Sequence, residues 1–490
     1  MIMINPVRFY SLIALVSTLL LLPTMALSQT KVLESVTAVA QSIHVDGAMV
    51  PTAVSLPIGF PVMRVDASDS SHRSGALFLS NFQLTIDPAA SFLMILDDSL
   101  QPLFSRLLDA PAFDFRRQPN GQLSYGQTEL DAYCIMDSTG QPLDTIRTVG
   151  VSTDLHEFEI LPNGDYLLLG DEMEVVDMTL IDSVGNPDAE VGGQVIEEID
   201  KHRKVVFSWR GFDHFKITDA THEDFDASYI DFEHSNSVIQ DRDGNFILSS
   251  RNLDEITKIN RATGEIVWRW GGKHNQFKFV GDSIGFSHQH DVRRLPNGHI
   301  TLFDNGTYHI PQFSRALEYD LDEVNMTATL VWQYRHSPDA FGLQMGSVQR
   351  LDNGNTVIGW GESINPAITE VRPDGSTAYE MGFQDTFYTY RAYRFPWPSG
   401  TSGQSEVRDR QTAQSNLAYP NPFRSQITMP ISGAATAAMY DATGRVVLRA
   451  MATEGASSLT MDGSTLPDGV YDIIVTSAAH REVRKVIHVR

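Results

Sequence analysis

Three histidines and an arginine hold comparable places in this chain relative to a recurring glycine turn. His156 stands eight residues ahead of Gly164, and His290 stands eight ahead of Gly298. His234 lies ten ahead of Gly244, as His288 does ahead of Gly298. Side chains along a strand alternate faces with a period of two, so offsets of eight and ten point the same way on equivalent strands. Arg251 follows Gly244 by seven residues, on the returning strand of the unit that carries His234. Converging imidazoles can serve as nucleophile and as acid or base near neutral pH. With a guanidinium beside them in a chain of net charge −24, they describe a pocket for an anion, because local donors must offset the repulsive overall field.

Other chemistries compete for the same residues. His288, His290 and Asp291 crowd together, and two histidines at i and i+2 on a strand can chelate a metal. Asp291, however, points to the opposite face from His290, and no His, Asp or Glu set with metal-site spacing follows nearby. His288 either joins the functional surface or merely flanks it. Arg251 has a plainer role open to it as the partner of Asp254 or Glu255. The run "DRDGN", Asp241 to Asn245, begins like a calcium loop, but its glycine comes early and the terminal glutamate is missing. It reads as a hairpin.

The elements that would position these groups are legible as repeats. "RRQPNGQLSYG", "EILPNGDYLLLGD", "IQDRDGNFILSSR", "RRLPNGHITLFDNG" and "QRLDNGNTVIGWG" each set an Asn-Gly or Asp-Gly pair between β-rich runs. Such a pair predicts a two-residue hairpin with positive φ at both turn residues. A second turn and an aromatic-rich strand follow most of them, which makes about four strands per unit. The glycines are spaced 43, 80, 54 and 56 residues apart, as propeller blades with insertions would be. "SFLMILDDSLQPLFSRLL", Ser91 to Leu108, supplies a sixth unit, and "DTFYTYRAYRFPW", Asp385 to Trp397, is placed to close the ring. The fold class expected is all-β, a six-bladed β-propeller over residues 81–397 followed by a small C-terminal β-sandwich. "RGFDHFKITDATHEDFDASYIDFE", residues 210–233, is long for a connection. It is either a lid or acceptor wall over the pocket, or an acidic solvated loop.

At 490 residues and 42% hydrophobic content the chain has room for more than one domain. Its 61 acidic against 37 basic side chains leave no electrostatic footprint for nucleic acid, so none is expected as a partner. Residues 1–28 join a cationic start at Arg8 to an apolar run ending in small residues at Ala26 and Ser28, the layout of a signal peptide. Export is expected, yet the single cysteine, Cys134, permits no intramolecular disulfide, so packing must stabilise the fold. Residues 29–80 read as an N-terminal β segment, 398–415 as a polar linker, and 416–490 as a separate β domain.

Taken together, "DLHEFEILPNGDYLLLGD", "HSNSV", "SSRNLDEITKINRATGEIVWRWGG" and "HQHDVRRLPNGHITLFDNG" resemble the bacterial arylsulfotransferases (aryl-sulfate sulfotransferases) across roughly residues 55–397. The resemblance implies a six-bladed propeller that moves a sulfuryl group from a phenolic sulfate donor to a phenol acceptor, with no nucleotide donor (PAPS) and no cofactor. It implies that His290 is the nucleophile that becomes sulfated, and that His156, His234 and Arg251 surround the sulfuryl group. A noncatalytic propeller that binds a protein or glycan, or a metal-dependent hydrolase on the same fold, is the alternative. "LAYPNPF", "MYDATGRVV", "LPDGVYDIIV" and the terminal "RKVIHVR" resemble the sorting domain of the type IX secretion system. That resemblance implies the type IX machinery as a partner, export through the periplasm to a secreted or cell-surface location, and transient association with the outer membrane on the way.

Overall fold

A computed structural model of the chain describes residues 56–397 with gaps at 58, 70–74, 84–90 and 385, residues 405–406, and most of 423–488. The expected signal peptide at 1–28, residues 29–55 of the N-terminal segment and nearly all of the linker lie outside the described residues. The described residues fall into two compact units, one within 56–101 and 108–397, the other within 102–107 and 405–488.

The first unit is all-β and forms a six-bladed propeller. Blade 1 joins the late strand Tyr388–Phe395 to Ala76–Phe82 and Ser91–Leu96. Blade 2 holds Ala112–Arg117, Leu123–Gln127, Ala132–Met136 and Pro142–Ile146, and blade 3 holds Ser152–Ile160, Tyr166–Val176, Ala189–Ile199 and Val205–Arg210. Blade 4 holds Ser235–Gln240, Phe246–Ser250, Glu255–Ile259 and Ile266–Gly271. Blade 5 is built on His290–Arg294, Ile300–Asp304, Arg315–Asp322 and Thr327–Tyr334, and blade 6 on Ser347–Arg350, Thr356–Gly359, Ile368–Val371 and Thr377–Phe383. Met63–Ser68 pairs antiparallel with Thr377–Phe383 as the outer strand of blade 6, so the described part of residues 29–80 is hydrogen-bonded into propeller sheets. Pairing a C-terminal strand with N-terminal ones closes the ring and leaves no open edge at the seam.

The inner strand of each blade touches the inner strands of both neighbours, in cyclic order around the axis. Apolar residues facing between blades fill the space, as Leu248, Val238 and Phe246 do with Leu167 and Trp209 between blades 3 and 4. Cys134 is a buried residue of blade 2.

The turns that announce the blades differ from the expected geometry. Gly121, Gly164, Gly244, Gly298 and Gly354 have φ of 88°, 85°, 83°, 99° and 87°, but none of the residues before them is left-handed. In blade 3 the Gly164 amide donates to Leu161 O at 2.8 Å, and Leu161 N donates to Asp165 O at 2.8 Å. That is a three-residue loop, a type I turn followed by one left-handed residue, rather than a two-residue turn. The reason lies in the sequence: Pro119, Pro162 and Pro296 open three of these loops, and proline fixes φ near −65°, which suits a type I turn and forbids the mirror-image one. No side chain lies within 4 Å of a Cβ built on Gly164. Gly164→Ala should therefore cost about 1–2 kcal/mol from backbone strain alone, read as a lower urea midpoint with unchanged catalytic constants.

Five inner strands carry a β-bulge, at residues 390–391, 114–115, 154–157, 236 and 291–292. A bulge re-aims side chains, and here it turns charged groups onto the axis. Arg391 Nη1 lies 2.9 Å from Asp114 Oδ1 and 3.1 Å from Glu157 Oε2, and Arg293 Nη2 lies 2.8 Å from Glu157 Oε2 and 2.6 Å from Asp291 Oδ1. Arg116 pairs with Glu157 as well as with Asp114. Three guanidinium groups and three carboxylates thus plug the centre of the propeller.

The second unit contains the antiparallel pair Gln426–Pro430 and Ser458–Asp462, and a four-stranded sheet ordered Val446–Ala452, Ala435–Tyr440, Gly469–Ser477, Arg481–His488. Ile427, Met429, Met439, Leu459, Ile473 and Val486 make its core. Small sheets sharing one apolar core agree with the expected sandwich.

Candidate active site

The three registered histidines meet. The His156 ring centre lies 5.0 Å from that of His234 and 6.2 Å from that of His290. They come from three adjacent blades: His156 from the bulge in Ser152–Ile160, His234 from the residue before Ser235–Gln240, and His290 from the first position of His290–Arg294.

Each ring is held by its Nδ1. His156 Nδ1 lies 2.8 Å from Asp154 Oδ1, and His234 Nδ1 lies 2.5 Å from Asp231 Oδ2. His290 Nδ1 is 2.8 Å from the carbonyl oxygen of Gly346. A carbonyl only accepts, so in the neutral ring the hydrogen of His290 sits on Nδ1 and the lone pair on Nε2. Burial, then the nearby charges of Arg391 and His156, push its pKa well below the ordinary value, against the opposing pull of the Gly346 carbonyl. Burial also raises Asp154, but the charge and hydrogen bonds of His156 outweigh it and leave the carboxyl below its ordinary value.

Tyr390, from the closing strand of blade 1, completes the cluster. Its hydroxyl has two acceptors in reach, His156 O at 3.1 Å and His290 Nε2 at 3.3 Å. Asp291 belongs elsewhere: it accepts from the Tyr393 hydroxyl at 2.8 Å and from Val348 N at 3.0 Å inside the axial plug. Among the described residues no group of three or more His, Cys, Asp or Glu is arranged to hold a metal ion.

Arg251 is buried just past Phe246–Ser250. Its backbone amide donates to His234 O at 2.9 Å, and its Nη1 donates to Asn252 Oδ1 at 2.7 Å. It makes neither of the surface pairs open to it, since Glu255 is bonded to Arg269 and Asp254 to His222. His288 makes its ring contacts in a second group of side chains. Its φ is 52°, as Asp291's is 56°, so the two residues flanking Gln289 and His290 break the simple alternation of a strand, and His288 lies instead 5.7 Å from the ring of His222 and 4.9 Å from Tyr308.

Residues 210–233 border this second group. Thr221 N donates to Asn252 O at 2.9 Å, His222 Nε2 lies 3.1 Å from Asp254 Oδ2, and the His222 ring stacks on Tyr308 at 3.3 Å. The segment also buries Phe215, Ile230 and Phe232 in the core between blades 3 and 4, so it is packed structure rather than a solvated loop.

Asp154 and Asp231 were within reach of the sequence, two and three residues ahead of their histidines. Tyr390 and the Gly346 carbonyl were not, because only ring closure brings them to His290.

A family model described as Arylsulfotransferase (ASST) matches residues 101–394, and one described as a secretion system C-terminal sorting domain matches residues 417–489. No curated protein matches the chain. Among solved structures, the chain is similar to a protein of unknown function from Bacteroides caccae, with 13% identity over 66% of this chain and 99% of that one and a TM-score of 0.42. It is also similar to virginiamycin B lyase from Staphylococcus aureus, at 9% identity over 77% and 96% with a TM-score of 0.31, and to hydrazine synthase from Kuenenia stuttgartiensis, at 13% over 58% and 74% with a TM-score of 0.35.

Proposed function

The chain belongs to the arylsulfotransferase family, and from that premise we propose that it carries a sulfuryl group from a phenolic sulfate ester to an acceptor phenol through a sulfohistidine at His290, without a nucleotide donor. The observation that carries this reading is the Nδ1–Gly346 contact, which puts the lone pair of a buried ring on Nε2, beside the His156 imidazole and within reach of the Tyr390 hydroxyl.

Sulfuryl transfer resembles phosphoryl transfer in its loose, in-line transition state, so positioning and charge stabilisation do most of the work. In the first half-reaction the bond from His290 Nε2 to sulfur forms as the bond from sulfur to the phenolic oxygen breaks. The electron pair leaves with the phenolate, which takes a proton from His156. In the second, the acceptor oxygen bonds to sulfur, the nitrogen–sulfur bond breaks and returns its pair to Nε2, and the acceptor's proton goes to His156. Asp154 holds His156 by Nδ1 and so presents its Nε2 for both transfers. Arg251 and His234 donate to the sulfuryl oxygens. The C-terminal sorting domain marks the protein for export; we place the enzyme at the cell surface or beyond, reached through the periplasm and the type IX machinery.

Mixing the protein with 4-nitrophenyl sulfate and a second phenol, without nucleotide, should yield one sulfated acceptor per nitrophenol released. Release of inorganic sulfate alone would make the enzyme a sulfatase. His156→Ala should slow the single-turnover release of phenol from phenyl sulfate by about 10²–10⁴-fold but spare that of nitrophenol from 4-nitrophenyl sulfate, whose phenolate leaves unaided; an equal loss on both donors would remove His156 from the proton path of this half-reaction. Because the unprotonated form of His290 attacks and its pKa lies well below 6.5, the single-turnover rate should stay flat as pH falls through that value. An acid limb centred at the ordinary histidine pKa would contradict this.

A further inference from the structure

His288 is 3% exposed, and neither of its ring nitrogens has a hydrogen-bond partner among the described residues. Arg251, 6% exposed, also has a buried Nε without one. Buried donors of this kind are costly unless something accepts from them. The two residues are tied together through one residue, Asp254, by its carboxylate on one side and its backbone amide on the other. Asp254 Oδ1 accepts from His288 N at 2.7 Å and Oδ2 lies 3.1 Å from His222 Nε2, while Asp254 N donates to Arg251 O at 3.0 Å. His288 and Asp254 both have positive φ, 52° and 50°, and non-glycine residues keep such backbone conformations where the surroundings over-determine them, often at ligand sites. Tyr308, half exposed and stacked on His222, stands at the edge of His288 as an aromatic wall. Asp231, Glu223 and Asp254 act on Arg251 through space, and burial followed by Asp231 raises Glu223 to about 7.

We propose that His288 and Arg251 form an oxyanion cradle beside the three-histidine cluster, with Tyr308 as the wall for the aromatic ring that bears the anion. The inference rests on the sulfuryl-transfer reading for the anion's identity: either the sulfo group in transfer or a second acidic substituent, sulfate or carboxylate, on the same aryl substrate. Both present oxygens that accept from Arg251 Nε and one imidazole N–H.

Sulfate ion is the first probe, titrated calorimetrically into the full chain at constant ionic strength. His288→Phe, which keeps an aromatic ring but no donor, should weaken sulfate binding by about 10-fold or more, and His288→Gln, which restores an N–H, should recover most of it. Equal affinity in the wild type and His288→Phe, or a His288→Gln variant as weak as His288→Phe, overturns the proposal. Single turnovers of His288→Phe then separate the sources: a transferring sulfo group predicts a slower burst with both 4-nitrophenyl sulfate and 4-carboxyphenyl sulfate, whereas a substituent site predicts a higher half-saturating concentration in the burst for the carboxylated donor only. The binding measurement needs no turnover, so a protein that binds sulfate through His288 yet transfers nothing would end the enzymatic reading and leave the cradle standing.

Discussion

Replacing His290 with asparagine should abolish transfer, with kcat falling by on the order of 10⁴-fold or more, as when a nucleophile that works as part of a unit is removed. Asparagine is near in size and can still donate to the Gly346 carbonyl, so the ring's hydrogen bond is replaced while the Nε2 lone pair is lost. Burst kinetics with 4-nitrophenyl sulfate give the sharper reading: the rapid release of one equivalent disappears, rather than merely slowing. Steady-state KM cannot report this, because in a ping-pong scheme it mixes both half-reactions. If His290→Asn retains a burst of full amplitude, the group that accepts sulfur lies elsewhere, with His156 the imidazole beside it and His234 next to that.

Glu157→Gln should destabilise the propeller by about 3–5 kcal/mol, the range for breaking one partner out of a buried ion cluster. Glu157 is fully buried and accepts from Arg116, Arg293 and Arg391, so the substitution removes the one carboxylate that all three guanidinium groups share. Burial alone would raise its pKa, but Arg116, Arg293 and Arg391 outweigh burial and hold it at about 2, below the ordinary 4.5. A carboxyl with a depressed folded pKa adds stability that is fully present above 4.5 and is lost as pH falls toward 2. Urea midpoints should therefore fall with acidification across that window in the wild type, and Glu157→Gln should show a flatter dependence there. A variant as stable as the wild type at neutral pH would mean that the axial plug does not hold the blades.

The fold was readable because its punctuation is local. Proline, asparagine and glycine at fixed offsets mark each hairpin, and the aromatic strand from Asp385 to Trp397 is placed to close the ring, as Tyr388–Phe395 does. The same letters misled about the turn type, since the Asn-Gly pair outweighed the proline before it. Histidine registration picked out three rings that lie together, yet strict alternation did not deliver them: His156 sits in a bulge, and His234 has a φ of 46°. Bulges follow from how the inner strands crowd the axis, which no window of sequence records. For that reason the charge plug, Tyr390 and the separation of His288 from His290 were invisible until the blades were placed. Alternation already set Asp291 apart from His290, but only the Tyr393 and Val348 bonds show what it serves.

The most direct measurement is peptide mass spectrometry of the protein quenched in base after mixing with an aryl sulfate and no acceptor. One sulfo group should be found, on His290, and it should vanish when a phenol is added before the quench. A protein that releases phenol while its histidines stay unmodified, or that carries the sulfo group on another residue, would contradict the account.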